Sequence, residues 1–457
     1  MNFDQTREKL INEVHQLLPQ HLERLVWTKE QLRSFQTIRM REILNIAKHN
    51  TSWYKETLNN FDPSEFELEE LRNLPTLNKE DVMNNWNEVV AVHELRRDIA
   101  EDHLERLREG KTDNPYFDDR HLFIATGGSS GKRGLFVWDG QFLKETACIT
   151  YRYLVNQEIK RGYKGPMKLA TIEAPTLLHG SRHLFTLNVC PEIEVKALSA
   201  VEPLAKLNKI LTEYRPNYLV GYASVIAELA RDQLKGNMDI QPRWISTNSE
   251  PLDDDMRFII KQAWGIEPCN SWGSVEIGCV AVETGNRSGM TIGEDGVILE
   301  RVDDNLKPVR RSKDARKVLA TSLINRTMPI IRYVIDDVLE IEDDNIEFPA
   351  YRRIKSILGR ADDWFVYKKS RIHPMAFRGV LSQVKEIDEY QTLQTRDGAA
   401  IKLICQDKPD LEQISNRIKE ILRKQGLENP QVTVDLVSTL PRHPETGKVK
   451  RFIPLKS

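Results

Sequence analysis

VEPLAKLNKILTEYRPNYLVGYASVIAELARDQLKGNMDIQPRWISTNSEPLDDDMRFIIKQAW, residues 201–264, alternates between two periods. VEPLAKLNKILTEY places apolar residues at three- and four-residue steps and stops at Pro216, and the short apolar run YLVGY follows it. SVIAELARDQL returns to the helical step, RWIST is a second short run, and LDDDMRFIIKQAW is helical again. Helices alternating with short apolar strands predict crossover units on a parallel sheet with helices against it, an α/β fold. Ligands of such sheets bind at the carboxyl ends of the strands, which puts Gly221, Tyr222, Thr247, Asn248, Ser249 and Glu250 on a candidate binding edge.

Upstream, HLFIAT and GLFVW are two short apolar runs around the glycine-rich TGGSSGKRG, so the loop is expected at the tip of a hairpin. Residues 1 to about 110 are expected to be mainly helical, as in LERLVWTKEQLRSFQTIRMREILNIAKHN, and end in the charged run AEDHLERLREGKTDNP. Downstream, a boundary is expected near Leu358 to Asp362. Beyond it come a helix around Pro374 to Val384, strands on either side of Asp397 and Gly398, a charged helix from Leu411 to Lys424, and a last strand, VTVDLV. The domains read as 1–358, a large α/β unit, and 359–457, a small α+β unit.

With 66 basic and 68 acidic residues among 457 and a net charge of −2, the chain shows no bias toward nucleic acid or an anionic membrane. The five cysteines, Cys148, Cys190, Cys269, Cys279 and Cys405, contain no CxxC pair and read as reduced thiols of a cytoplasmic protein. MNFDQTREKLINEV has no apolar signal core and no stretch approaches eighteen apolar residues, so neither export nor a membrane span is expected.

The loop Thr126-Gly127-Gly128-Ser129-Ser130-Gly131-Lys132-Arg133-Gly134 carries the strongest chemical signal. Four glycines in nine residues let backbone approach a ligand, while hydroxyls, a lysine and N–H groups supply donors for phosphate oxygens. Thr126 and Arg133 break the Walker pattern. The stretch also satisfies GxSxG with Ser129 at the nucleophile position, but that serine hydrolase motif needs a helix after the turn, and a strand-like run follows here. His179 and His183 stand four residues apart, yet neither the glutamate of the zinc protease motif nor a third ligand accompanies them.

This loop is similar to the phosphate loop of the acyl-adenylate-forming superfamily, and further blocks follow in that family's order: TNSEPL (247–252), SWGSVEIG (271–278), MPIIRYVIDD (328–337), GRADDWFVYKKSRIHP (359–374) and LPRHPETGKVKR (440–451). LRSFQTIRMREILNIAKHNTSWYKETL and LRNLPTLNKEDV resemble the branch of phenylacetate-CoA ligase and coenzyme F390 synthetase. The resemblance implies a large adenylation domain with a small mobile C-terminal domain, and a ligase that joins a carboxylic acid, aryl or arylacetic by preference, to AMP from ATP and then passes the acyl group to a thiol such as CoA. It also implies roles. Thr126 to Lys132 would hold the β- and γ-phosphates; Ser249, Glu250, Pro251, Gly273 and Ser274 would line the ATP site. Trp272 would stack on adenine and Glu276 would bind Mg²⁺. Asp337 and Arg360 would meet the ribose, Lys448 would neutralise charge as the carboxylate attacks the α-phosphate, and Asp362 would be the hinge. By position, His179 and Tyr222 would line the acyl pocket.

Three positions depart from the family pattern. Val275 stands where a hydroxyl is expected, with Ser274 one place earlier; Asp336 replaces a glycine beside Asp337; Lys369 replaces the glycine past which the pantetheine of CoA runs. Lys369 favours a rival acceptor, an amine or hydroxyl, and Val275 a noncatalytic nucleotide-binding descendant. A homodimer is compatible with the sequence.

Overall fold

A computed structural model describes residues 3–455 apart from 60, 126–133, 166, 175–176, 190, 201, 286, 336, 361–364, 369, 373–374, 382–383, 385, 406 and 442–448. The chain opens with α1 (Phe3–Arg24), α2 (Lys29–Asn50), α3 (Ser52–Thr57), α4 (Lys79–Asn84), α5 (Trp86–Val89) and α6 (Arg97–Arg108). The break before α2 is set by a capping box in which Thr28 accepts from the Gln31 amide while the Gln31 side chain accepts from the Thr28 amide. There follow β1 (Tyr116–Phe117), β2 (His121–Ala125), β3 (Leu135–Asp139), α7 (Gly140–Lys160), β4 (Met167–Glu173), α8 (Gly180–Phe185) and β5 (Ile193–Ser199). The α/β stretch then runs α9 (Leu204–Tyr214), β6 (Tyr218–Tyr222), α10 (Ala223–Leu234), β7 (Trp244–Asn248), α11 (Asp254–Trp264), β8 (Cys269–Ser274) and β9 (Gly278–Val282). Next are β10 (Met290–Ile292), β11 (Val297–Val302), β12 (Lys317–Ser322), β13 (Tyr333–Ile335), β14 (Asp337–Glu342) and β15 (Arg353–Arg360). The last elements are β16 (Phe365–Val366), β17 (Arg371–Ile372), α12 (Met375–Leu381), β18 (Ile387–Thr395), β19 (Gly398–Cys405), α13 (Leu411–Lys424), β20 (Gln431–Leu436) and β21 (Phe452–Ile453).

The alternation read in residues 201–264 is present. All five residues of β6 and of β7 are buried, as expected for parallel strands covered on both faces. The principal sheet has the order β14-β15-β10-β9-β8-β7-β6-β4-β5, and the pairs β5–β4, β4–β6, β6–β7 and β7–β8 are parallel. Leu207, Leu211, Ile226, Leu229, Ile260 and Trp264 from α9, α10 and α11 pack on one face against Ile172, Leu219 and Ile245. Leu10, Val14 and Leu18 of α1 and Phe142, Leu143 and Ile149 of α7 join the other core with Leu169, Tyr218 and Val220. Three-stranded sheets β1-β2-β3 and β11-β12-β13 accompany it.

Two compact units emerge: residues 1–335 with 340–356, and residues 336–339 with 357–457. The second has its own sheet, β20-β19-β18-β21, and its own core of Phe365, Phe377, Ile401, Leu403, Ile414, Ile418 and Leu422. Among the described residues no helix is long and apolar enough to cross a membrane.

The first unit buries an ionic cluster. Arg152 of α7 donates to both carboxylate oxygens of Asp295 at 2.7 and 2.8 Å, and Arg24 of α1 reaches Asp295 at 3.2 Å. His21 of α1 and Arg39 of α2 meet Glu145 of α7 at 3.0 and 3.1 Å, and Gln141 donates to it at 2.9 Å. Burial pushes both carboxyls up, but the His21 hydrogen bond with Arg24 and Arg39 around Glu145, and Arg152 foremost around Asp295, outweigh it; both lie below the usual carboxylate range, Glu145 at about 2. Burial lowers the His21 ring, which favours its neutral form.

Removing one partner of a buried pair leaves a desolvated charge, so Asp295→Asn should cost about 3–5 kcal/mol of unfolding free energy in urea melts at pH 7. A carboxyl held low in the folded state stabilises fully above its unfolded pKa, roughly 4, and loses that contribution as pH falls through the folded value. The deficit of Asp295→Asn against the parent chain should therefore narrow as pH is lowered below about 4; a deficit independent of pH would contradict the cluster's role.

Candidate functional site

The carboxyl ends of the parallel strands gather most of the described site candidates of the first unit. Gly221 pairs with Thr247 and Tyr222 with Asn248 where β6 and β7 end, as expected from the sequence. Ser249 follows with a φ of 61°, a left-handed conformation uncommon outside glycine, so the chain turns sharply as it leaves the sheet. Glu250 accepts from the Ser224 amide at 3.0 Å and so caps α10, while Pro251 is exposed.

β8 and β9 form a hairpin around the SWGSVEIG block, with Trp272 opposite Ala281 and Ser274 opposite Gly278. The close crossing depends on Gly273, where a Cβ would fall 2.1 Å from the Gly278 carbonyl oxygen. Trp272 is 5% exposed. Val275 packs against the α1–α7 core, and its carbonyl accepts from Trp138 Nε1 at 2.7 Å. The position where the family pattern has a hydroxyl is thus filled by core. Ser274 Oγ is buried and has no hydrogen-bond partner among the described residues, so a hydroxyl remains one residue away.

Glu276, at the hairpin tip, accepts from the Tyr333 hydroxyl at 3.2 Å across 57 residues of sequence. Tyr333 belongs to the MPIIRYVIDD block, and the two N-terminal blocks clamp that segment. Tyr54 donates its hydroxyl to the Pro329 carbonyl at 3.2 Å, the Leu77 amide donates to the Arg332 carbonyl while the Leu77 carbonyl accepts from the Val334 amide, and Arg332 bonds both oxygens of Glu300 at 3.0 and 3.1 Å. Arg332 also donates to the Arg72 and Leu74 carbonyls, so its guanidinium is committed within the fold.

The glycine loop Thr126, Gly127, Gly128, Ser129, Ser130, Gly131 and Lys132 lies outside the described residues, as do Asp336, Asp362, Lys369 and Lys448. Its flanks are described: Ala125 pairs antiparallel with Leu135, so the loop joins the strands of a hairpin, and the strand-turn-helix demanded of a serine nucleophile is absent. Asp337 opens β14 and is half-buried, and Arg360 closes β15, both in the second unit.

His179 precedes α8 and His183 lies within it. His183 Nε2 is 2.7 Å from the Leu177 carbonyl, the geometry of an N–H donor, and burial pushes the ring down to about 4. Among the described residues no group of three potential metal ligands occurs. Tyr222 is buried, and its phenol is raised by burial foremost and by Glu173.

The sequence reading missed Glu173, Trp138 and Tyr333. Glu173 ends β4 at 0% exposure and accepts from Asn248 Nδ2 at 2.9 Å. Its only sequence signal is a carboxylate closing the apolar run MKLATIE.

No protein-family model matches the sequence. The chain is 24% identical over 436 residues to protein CapK of Staphylococcus aureus, an alignment covering 91% of this chain and 88% of that protein. Its structure is similar to 2-hydroxyisobutyryl-CoA ligase in a postadenylation state with R3-HIB-AMP, at TM-score 0.69 and 17% identity over 95% of this chain and 91% of that one. The anthranilate CoA ligase AuaEII in complex with anthranoyl-AMP gives 0.54 at 14% identity, over 74% and 67% of the two chains. The amide bond synthetase McbA from Marinactinospora thermotolerans gives 0.53 at 14% identity, over 72% and 67%. The fold is that of the adenylate-forming ligases.

Gly273→Ala should lower stability by roughly 1–3 kcal/mol through overpacking of the hairpin, read as a fall in melting temperature. The His183 ring should stay neutral between pH 5 and 9 in an NMR titration, given its value of about 4; a midpoint near the free-histidine value would mean the ring is solvated.

Proposed function

We propose that the protein is an AMP-forming ligase. A carboxylate oxygen of the acid attacks the α-phosphorus of ATP, the bond to pyrophosphate breaks, and acyl-AMP results; a thiol such as CoA then attacks the acyl carbon and AMP leaves. The observation that carries this reading is the meeting of Glu276 with Tyr333, which joins two sequence blocks of the adenylate-forming pattern beside the strand ends of a fold shared with acyl-AMP-bound ligases. By resemblance the acid is aryl or arylacetic, as for phenylacetate-CoA ligase.

The side chains suit the charges involved. Glu276 is half-exposed and Tyr333 is its one hydrogen-bond partner among the described residues, so oxygen remains for a hard cation such as Mg²⁺, which draws charge from phosphate oxygens when bound. Ser274 Oγ can donate to the α-phosphate, and Trp272 offers a rigid face to adenine. Asp337, an acceptor, suits the ribose diol, with Arg360 beside it in this reading. Thr126 to Lys132 would hold the outer phosphates, Ser249, Glu250 and Pro251 the nucleotide's flank, and His179 and Tyr222 the acyl group. Lys448 would place an ammonium against the anion-on-anion approach of the two substrates, with Asp362 as the hinge that brings it in.

A second acceptor class has its own support. Lys369 stands in the block where the family pattern has glycine, and the fold is shared with an amide bond synthetase, so an amine or hydroxyl is the rival acceptor.

Pyrophosphate release from ATP and Mg²⁺ should depend on an added carboxylic acid and fall about 100-fold or more in Lys448→Ala, the scale of losing one preorganised charge-stabilising group. Faster turnover with CoA than with amines favours the thioester product. ATP binding without pyrophosphate release across aryl, arylacetic, short-chain and amino acids would overturn the reading in favour of a noncatalytic nucleotide binder.

A further inference from the structure

Trp138 is the penultimate residue of β3, and its indole bridges two segments that the proposed reaction assigns to different substrates. At one end Nε1 donates to the Val275 carbonyl at 2.7 Å, in the hairpin that carries Trp272 and Glu276. At the other end the six-membered ring lies over Gly180, the first residue of α8. A Cβ on Gly180 would fall 2.4 Å from Cη2 of Trp138 and 3.0 Å from Cζ2 and Cζ3. Gly180 follows His179 and precedes Ser181, and a hydrogen bond with Ser181 draws the Tyr222 phenol down while burial, the larger effect, raises it. The indole therefore reaches from the nucleotide block to the pair of side chains placed beside the acyl group.

Gly180 is not among the glycines with a left-handed φ, so its backbone conformation does not require glycine. Glycine at the start of a helix costs conformational entropy that alanine would spare. What requires glycine there is the indole. The ring also packs on Phe142 of α7, with centroids 5.1 Å apart, and Trp138 is 3% exposed. The largest side chain and the smallest are thus set against each other between the hairpin and α8, and the apolar volume between those segments is given to the indole. That volume is of the size a ligand uses, since a dry cavity of roughly 150 Å³ holds a benzene-sized molecule.

We infer that Trp138, seated on Gly180, forms the inner wall of the acyl pocket and sets the largest acyl group this chain accepts. This rests on the adenylation reading and on its placing of the acyl group near His179 and Tyr222. Trp138 determines size and does not touch the reacting atoms. A tryptophan that only filled the core would behave differently on truncation: the chain would lose stability and keep its substrate range.

The test is acid-dependent ATP–pyrophosphate exchange by the full chain across two graded series: phenylacetate, 4-methylphenylacetate, 4-ethylphenylacetate and 2-naphthylacetate, and acetate, butyrate, hexanoate and octanoate. In the series that the parent chain uses, kcat/KM should fall about tenfold or more at one step, the scale of a methylene that an apolar pocket does not hold. Trp138→Ala should move that step to a larger acid, raising the first excluded acid about tenfold or more relative to the best parent substrate. Trp138→Phe keeps a ring but shortens it; it provides the second variant should Trp138→Ala fold poorly, and should move the step in the same direction by less. A folded variant whose step is unmoved, or a parent chain that uses either series with no step, would overturn the inference and leave adenylation standing. ATP binding by the parent chain with no exchange for any acid overturns both.

Discussion

Asp295 lies at 1% exposure between the guanidinium of Arg152 and that of Arg24, and the order of the first unit follows from satisfying it. A carboxylate without water holds its charge only if donors arrive in fixed positions, and here they arrive from α1 and α7. Glu145 repeats the constraint about two turns of α7 before Arg152 and adds Arg39 of α2. The three helices are thereby registered against each other and against the β10–β11 connection. Apolar packing alone tolerates sliding, whereas a bidentate Arg–Asp pair does not. α7 in turn presents Phe142, Ile149 and Tyr151 to the sheet.

The same helix system sets the candidate site. Trp138, on the strand leading into α7, holds the Val275 carbonyl, and Asp139 caps α7 while accepting from Thr327 at 2.6 Å. The β8–β9 hairpin is consequently fixed on its inner side by core and on its tip by Tyr333. This is why Val275 cannot be read as a lost hydroxyl alone. It is a packing residue whose carbonyl is in use, and the neighbouring Ser274 carries a hydroxyl that has no hydrogen-bond partner among the described residues.

Polar groups on the carboxyl edge stand apart from those of the helix cluster. The cluster's charges are matched by opposite charges from neighbouring helices. At the edge the Asn248 Oδ1 is buried without a hydrogen-bond donor among the described residues, while its Nδ2 donates to Glu173.

The sequence alone determined the alternation of α9, β6, α10, β7 and α11, because helical stripes and fully apolar short runs are local signals of how each segment will be covered. It also determined the hairpin around the glycine loop, the strands around Asp397 and Gly398, and the helix Leu411–Lys424, and it placed Tyr222 and Asn248 at strand ends. It left β1, α7, β4, α8, β5, β8 to β17 and β21 unassigned. Only the tertiary structure decided that Glu276 meets Tyr333, that Arg332 is spent on Glu300 and two carbonyls, that His183 is a neutral donor to Leu177, and that Glu173 faces Asn248. Each of those depends on a partner from another segment, and whether a polar side chain is solvated, paired or left waiting is set by burial and by what arrives across the fold, which no local pattern encodes.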